Sequence, residues 1–202
     1  MTAETPIVPN AREAALFGRS VKGRTLVEVS EAIRQRRSIK AFQERAIPAD
    51  ILKQIVDAAY VAPTGGNNPS REFLVVSDRE QLNKLSGAHP HCKFLAGAAA
   101  AIILLGKPAQ SRYWVEDCGV AGAHIWLSAV SLGLGAAWGA MYQSDNEEES
   151  TRREQYCRDV LGIPGTLRVV GVLALGYPAA IPDSKPRPDY AAVVHWGSYS
   201  QP

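Results

Sequence analysis

The sequence predicts an α+β or mixed α/β domain, because a few strongly apolar strand patterns are interspersed with more numerous helical patterns. The 202 residues are 46% hydrophobic and 21% charged, which is typical of a globular chain rather than a disordered or multispan membrane protein. A chain of this length can bury a core without disulfides or metal ions. Its 22 Lys and Arg against 20 Asp and Glu give a formal net charge of +2, which argues against a strongly basic nucleic-acid scaffold.

The first part of the chain contains an arm and two helices. We expect an N-terminal arm over residues 1–24, followed by a single domain over residues 25–202. Apolar residues at helical spacing predict a first helix over residues 26–36. A second helix begins at Pro48 and ends before Pro63, since proline fits the first turn of a helix and interrupts a helix elsewhere.

The later elements follow from the same rules. Apolar runs predict buried strands at residues 73–77, 98–105 and 166–175, and a last short strand at 192–196. Helical patterns are found at residues 77–85, 114–132 and 147–161. Ser77 and Glu80 match a capping box at the start of the first of these helices. The run 178–188 contains four prolines, so we expect it to be extended.

Residues 118–144 contain no Asp, Glu, Lys or Arg. This stretch predicts a buried core helix, with a transmembrane helix as the alternative, although glycines and serines dilute its hydrophobicity. The N-terminus lacks the apolar segment of a secretion signal. The three cysteines, Cys92, Cys118 and Cys157, form no CxxC pair. We therefore expect a cytoplasmic protein in a reducing compartment, without a membrane span.

Two basic clusters lie at opposite ends of the chain. Arg36-Arg37-Ser38-Ile39-Lys40 follows the first helix, and Lys185-Pro186-Arg187 lies in the proline-rich run. Guanidinium groups bind phosphate through paired hydrogen bonds, and a serine hydroxyl adds a neutral donor. One interpretation is a phosphate held from both ends of the chain. The alternatives are a solvated basic helix end and a basic surface tail.

Other motifs give weaker indications. The loop at residues 63–70 has adjacent asparagines that could face a planar heterocycle, or it is simply a turn. The glycines at 133–139 do not form a Rossmann fingerprint, because they follow a helical pattern and Trp138 occupies the third glycine's place. His89-Pro90-His91-Cys92 would need distant ligands to complete a zinc site. We assign no metal site and no catalytic acid or base.

The order of these motifs resembles the flavin-dependent nitroreductase family over residues 26–196. The motifs are RRSIKAF, a helix from IPAD to AAYVAPT, a Gly/Asn loop running into FLVV, LGLGAAWG, GVLALGYPA, KPRP and VVHW. The resemblance implies a nitroreductase-like, FMN-dependent α+β fold with a central mixed or antiparallel sheet flanked by helices. It also implies an intertwined homodimer with one FMN at each of two interfaces.

The resemblance also implies which residues would hold FMN. Those near its phosphate and ribityl chain would be Arg36, Arg37, Ser38, Lys185 and Arg187. Lys40 would approach the N1 and C2-carbonyl side of the isoalloxazine ring. Those at the edge of the ring would be Thr64, Gly65 and Asn67, and those near N5 and O4 would be Trp138, Gly139 and Ala140.

The chain departs from the family pattern in two places. Pro69, Ser70 and Arg71 stand where the family often has Gln-Pro-Trp, so Arg71 could add a charge near the active site. Ala123-His124 stands where the long helix often carries Gln-Asn. Because neither departure changes the basic clusters, we expect both to affect which substrate binds and not how the phosphate is held.

The function implied is hydride transfer from NADH or NADPH through flavin N5 to an electron-poor small molecule, such as a nitroaromatic compound or a quinone. The mechanism expected is ping-pong, with the flavin supplying the chemistry. The alternatives are other flavin chemistry on the same scaffold (flavin destruction, reductive dehalogenation or oxidation of a heterocycle) and a non-catalytic flavin-binding module. We expect neither a nucleic acid nor a membrane as a partner.

Overall fold

Four antiparallel strands form the centre of the protein. The computed structural model describes residues 28–199, so the predicted N-terminal arm lies outside the described residues. In chain order the strands are β1 (Arg71–Val76), β2 (Ala100–Gly106), β3 (Gly135–Ala140) and β4 (Arg168–Gly176). They hydrogen-bond in the order β1-β2-β4-β3, which leaves β1 and β3 at the edges. The α+β fold with an antiparallel sheet is thereby confirmed.

Helices cover both faces of the sheet. They are α1 (Val29–Gln35), α2 (Ala49–Tyr60), α3 (Arg79–Leu85), α4 (Trp114–Ser131) and α5 (Glu147–Leu161). Every residue of β2 is buried, and alternate side chains enter different cores. Ile103 and Leu105 pack with α3 and α5, whereas Ile102 and Leu104 pack with α2 and α4. Because both faces are covered, the central strands read as continuous apolar runs without polar alternation.

The helix predictions are largely confirmed. The helix α5 has the predicted bounds: Asn146 Oδ1 accepts from Glu149 N–H at 2.9 Å, and Gly162 ends the helix in a left-handed conformation with φ 68°. Residues 118–131 of the uncharged stretch form most of α4, and residues 135–140 form β3. The helix is buried on one face, which includes Cys118, Ala121 and Ile125, whereas Val120 is 40% exposed, so the prediction of a buried core helix is confirmed only in part. Among residues 28–199, no helix is both long enough and apolar enough to cross a membrane.

Three local predictions are wrong or incomplete. The helix α3 is capped by Asp78, whose carboxylate accepts from Gln81 N–H at 2.9 Å, and not by Ser77. The predicted strand at 192–196 is absent, and a short 3₁₀-helix, Tyr190–Ala192, includes its first residue. The strand β3 was not predicted, because its Gly- and Ala-rich sequence has low intrinsic strand propensity.

A buried carboxylate ties α5 to β4. The Glu154 side chain is 1% exposed and accepts hydrogen bonds from Arg158, from Arg168 and from the backbone N–H of Val169 at 2.9 Å. The Arg168 guanidinium also lies over the aromatic rings of Trp114 and Tyr142. The Glu154 charge is therefore compensated by two cations that are themselves held in place.

We expect Glu154→Gln to lower the free energy of unfolding by about 3 kcal/mol, because the two arginines lose the charge that compensates them in a largely buried site. Urea denaturation measures the change. Glu147→Gln is the matched control, since Glu147 pairs with the same Arg168 but its side chain is 69% exposed, and we expect less than about 1 kcal/mol there. Equal losses in the two variants would contradict the assignment.

Candidate functional site

The two basic clusters of the sequence line one cleft, which we call the basic cleft. It has a volume of about 720 Å³ and lies between residues 33–41 on one side and residues 180–187 on the other. Ala137 and Trp138 of β3 form part of its wall. The charged residues that line it are Arg36, Arg37, Lys40, Lys185, Arg187 and a single carboxylate, Asp183. Five cations against one anion can bind a phosphate dianion.

Backbone hydrogen bonds bring these distant segments together. Ile39 N–H donates to the carbonyl of Ala136 at 3.0 Å, which fixes the first cluster against the open edge of β3. Further along, Gln43 N–H donates to Tyr177 O at 2.9 Å, and Ala179 N–H donates to Ala41 O at 3.0 Å. These two bonds pair residues 41–43 with the chain leaving β4. The proline-rich run therefore begins directly beside the first basic cluster.

Two glycines make this close approach possible. A Cβ atom on Gly135 would lie 2.4 Å from Cγ1 of Ile39, and one on Gly176 would lie 2.7 Å from a ring carbon of Phe42. Any side chain at either position would push residues 39–42 away from the sheet. The glycines that lower the strand propensity of β3 thus leave the space that the basic segment occupies.

The first cluster is oriented by Trp126 of α4. The Arg36 guanidinium lies 4.8 Å from the centre of the Trp126 ring, and Trp126 Nε1 donates to Arg37 O at 3.2 Å. Arg37 Nη1 donates to the carbonyls of Arg34 and Arg36, each at 2.9 Å. Within residues 28–199 its Nε is buried and has no hydrogen-bond partner. An unpaired buried donor of this kind is stabilised by an acceptor on a ligand.

The outer edge of β3 faces the same side as this cluster. Ala136 O accepts from Ile39 N–H on the edge of β3 that faces away from β4. Because successive residues of a strand direct their N–H and C=O groups to alternate edges, the N–H groups of Trp138 and Ala140 also point away from β4. The Trp138 indole packs against Gly122 and Gly171, where a Cβ would lie within 2.6 Å of the ring. The ring thus holds the strand in position.

Three polar side chains, His89, Cys92 and Arg153, form a layer that packs against Gly139 and Ala140 of β3. Arg153 Nη1 donates to Ala140 O at 3.0 Å, and Cys92 Sγ would lie 2.5 Å from a Cβ on Gly139. Cys92 Sγ is 3.0 Å from His89 Nε2. Burial raises the pKa of Cys92 to about 11 and, together with Arg153, lowers the pKa of His89, so both groups are neutral at pH 7. Among the described residues no group of three His, Cys, Asp or Glu could hold a metal ion.

Lys40 lies between the cleft and this layer. Its Nζ is 6.0 Å from the centre of the Phe94 ring, and its charge acts to lower the pKa of Cys92 against the larger effect of burial. Lys40 itself is exposed. Its ammonium group is therefore available to a ligand in the basic cleft.

The structure brings some of the twelve predicted FMN-binding residues into the basic cleft and places the others outside it. Seven of the twelve line the cleft: Arg36, Arg37, Ser38, Lys40, Trp138, Lys185 and Arg187. Gly139 and Ala140 continue β3 beyond the cleft wall without lining it. Thr64, Gly65 and Asn67 belong to a short turn that does not reach the basic cleft of the same chain.

Asp117 anchors that turn from the first turn of α4. Its carboxylate is buried and accepts from Gly65 N–H at 2.8 Å and from the Ser70 hydroxyl. Gly66 and Asn67 both adopt left-handed conformations, with φ 64° and 56°. The buried Asp117 carboxylate thus fixes the two ends of a strained turn, and Asn67 is exposed at its tip.

Arg71 does not add its charge to the basic cleft. Its guanidinium donates to the carbonyls of Ala62 and Pro63, the latter at 2.8 Å, beyond the end of α2. It also approaches Asp117 O at 3.4 Å. Burial lowers the pKa of Arg71, against the favourable charge of Asp117. Ser70 and Arg71 therefore stabilise the loop, and Arg71 does not line the basic cleft of its own chain. The expectation that Arg71 adds a charge near the active site stays a prediction.

We expect Ser70→Ala to destabilise the protein by about 1–3 kcal/mol, because the buried Asp117 carboxylate then lacks one of its two donors. Ser144→Ala, which alters an exposed serine, should change stability by less than about 0.5 kcal/mol. The midpoint of chemical denaturation measures both. An unchanged midpoint for Ser70→Ala would show that the Ser70–Asp117 bond does not hold the turn.

Comparison with known proteins identifies the family. The family model described as "Nitroreductase family" matches residues 33–92 and 86–177. A protein of Methanothermobacter thermautotrophicus, with the provisional name NADH dehydrogenase/NAD(P)H nitroreductase, is 35% identical over 162 residues, covering 79% of this chain and 82% of that protein.

Solved structures agree with the sequence match. A Bacteroides thetaiotaomicron structure with the same provisional name has a TM-score of 0.76 and 32% identity, covering 85% of this chain and 98% of that one. An FMN-dependent nitroreductase from Clostridium difficile has a TM-score of 0.72 and 28% identity, covering 83% and 98% of the two chains. The chain belongs to the nitroreductase family.

Proposed function

We propose that the protein is an FMN-dependent oxidoreductase that takes hydride from NADH or NADPH and passes it to an electron-poor small molecule. The observation that carries the proposal is the convergence of cations from both ends of the chain on the basic cleft. Membership of the nitroreductase family supports the same conclusion. FMN, when bound, supplies the hydride chemistry, and the chain supplies binding, orientation and charge.

The residues of the basic cleft fit FMN. Its volume of about 720 Å³ lies within the range of small-molecule sites. Four cations, Arg36, Arg37, Lys185 and Arg187, line the cleft with the Ser38 hydroxyl and are available to a terminal phosphate. Arg37 Nε is a buried donor that needs an acceptor. The outward amide of Trp138 in the cleft wall, and that of Ala140 beyond the wall along β3, offer donors to the polar edge of a flavin ring that extends along this strand. Charge and donor groups are thus supplied to both ends of the cofactor.

Lys40 has a separate role beside the ring. It is exposed, lines the basic cleft together with Trp138 of β3, and directly follows Ile39, whose N–H donates to Ala136 O of that strand. A cation there favours the negative charge that the flavin ring gains on reduction. Two unit charges about 4 Å apart interact by roughly 4 kcal/mol at an effective dielectric constant near 20. Lys40 therefore adjusts the redox potential rather than the affinity alone.

A homodimer explains the residues that do not reach the cleft. The turn with Thr64, Gly65 and Asn67 is fixed by Asp117 and exposes Asn67. Several large apolar side chains near it are also exposed, among them Tyr60 at 78% and Val61 at 71%. We place this turn at the FMN of a second subunit, so that each of two cofactors contacts both chains. Burying the apolar groups favours such an association.

The proposal is tested by the visible spectrum of the purified protein under argon. We expect a yellow protein that retains FMN and loses its flavin absorbance when NADH or NADPH is added. Ping-pong kinetics with a quinone or a nitroaromatic acceptor should follow. A protein that binds FMN but is reduced by neither nicotinamide would be a non-catalytic flavin-binding module. A colourless protein that takes up no FMN would overturn the proposal.

We expect Arg187→Gln to weaken FMN binding by about tenfold or more, since a hydrogen bond to a charged phosphate contributes about 1.5–3 kcal/mol. Fluorescence titration of the apoprotein with FMN measures the change. Lys53→Gln removes the same charge on α2, away from the basic cleft, and should leave FMN binding within about twofold. Equal weakening in both variants would point to net charge and not to a phosphate contact.

Removing the charge of Lys40 should lower the flavin midpoint potential. In Lys40→Ala the reduced ring loses its nearby cation, and we expect a fall of up to about 90 mV, from roughly 30 mV per 1.4 kcal/mol for two electrons. Spectroelectrochemistry measures the potential. Lys40→Arg, which keeps the charge, should restore most of it. An unchanged potential in Lys40→Ala would remove this role.

A further inference from the structure

A second cleft adjoins the basic cleft, and we call it the Arg45 cleft. It has a volume of about 460 Å³. Residues 43–46 line one side, and Ser77 and Arg79, which follow β1, line another. The wall is completed by Ala96, Gly97 and Ala99. None of these residues belongs to the basic cleft.

Both arginines of the Arg45 cleft make contacts that hold them in place. The Arg45 guanidinium lies 3.8 Å from the centre of the Tyr177 ring, and this contact uses the face of the guanidinium and not its in-plane N–H donors. Arg79 donates from Nη1 to Ala96 O and from Nη2 to Ala98 O, the latter at 2.8 Å. A guanidinium has five N–H donors, so about three remain on Arg79.

The charge of the cleft favours an anion. Glu44 is the one acidic side chain among its lining residues, against two arginines. Ser77 is exposed and adds a hydroxyl donor. Paired guanidinium groups with a hydroxyl are suited to a phosphate, whose oxygens accept several charge-assisted hydrogen bonds at once.

The position of the cleft indicates where such a phosphate comes from. Ala41 lines the basic cleft and Gln43 lines the Arg45 cleft, so their Cα atoms are at most about 7 Å apart. The 3₁₀-helix Pro90–Gly97 also connects the two, since Phe94 faces Lys40 and Ala96 lines the Arg45 cleft. A dinucleotide with its nicotinamide beside Lys40 could extend its adenosine half along this path.

We infer that the Arg45 cleft binds a phosphate monoester, and that this group is the 2′-phosphate of NADPH. The inference rests on the proposed function and adds a preference between the two electron donors. NADH lacks the 2′-phosphate, so it leaves the two arginines without their acceptor. The protein therefore discriminates in favour of NADPH by a contact outside the basic cleft.

The test compares NADP⁺ with NAD⁺ on the oxidised, FMN-loaded protein by isothermal titration calorimetry. We expect NADP⁺ to bind at least about tenfold more tightly. Arg45→Gln should abolish the difference and leave NAD⁺ affinity within about twofold. Glu44→Gln, which removes the opposing charge, should increase the difference. Lys53→Gln, with the same charge change as Arg45→Gln but outside both clefts, should leave it unchanged.

Two results would overturn the inference. If NADP⁺ and NAD⁺ bind alike while inorganic phosphate binds in an Arg45-dependent way, the cleft takes free phosphate and the assignment to the electron donor is wrong. If neither NADP⁺ nor inorganic phosphate depends on Arg45, there is no phosphate site. Retention of FMN and its reduction by NADH are measured on the same samples, so a failure of the proposed function is recognised separately.

Discussion

The backbone pairing of residues 39–43 with the ends of β3 and β4 is the interaction on which the site depends. Three hydrogen bonds place the basic segment across one end of the sheet: Ile39 N–H donates to Ala136 O, Gln43 N–H donates to Tyr177 O, and Ala179 N–H donates to Ala41 O. The same segment borders both clefts, since residues 36–41 line the basic cleft and residues 43–46 line the Arg45 cleft. The glycines at 135 and 176 are required because the segment lies directly on the strands.

Concentrating five cations around one cleft is electrostatically unfavourable without an anion, since like charges repel most strongly where protein excludes water. A bound phosphate removes this repulsion, so its binding stabilises the folded protein. The contacts that orient Arg36 and Arg37 involve no carboxylate. The Arg36 guanidinium packs on the Trp126 ring, and Arg37 donates to backbone carbonyl groups. These contacts therefore fix Arg36 and Arg37 without neutralising their charge.

The sequence predicted the elements whose pattern is local. The strands β1, β2 and β4 are apolar runs, and α5 carries its own cap residue and terminal glycine, so no distant contact was needed to find them. The strand β3 could not be found this way, because the Gly- and Ala-rich segment Gly135–Ala140 has low strand propensity, and its extended conformation depends on pairing with β4 and with residues 38–39. The cap of α3 was misplaced by one residue, since Ser77 and Asp78 are both good cap residues.

What the sequence by itself determined was the chemistry of the site: which side chains carry charge, that cationic groups occur at both ends of the chain, and that a Gly/Asn turn lies between them. Only the tertiary structure decided which of these groups meet. It joined Arg37 to Arg187 in one cleft, excluded the turn with Asn67 from it, and turned Arg71 towards the end of α2. The physical reason is that a local pattern of residues predicts only the conformation of its own segment. Which distant segments come into contact depends on strand pairing and on the space that individual glycines leave.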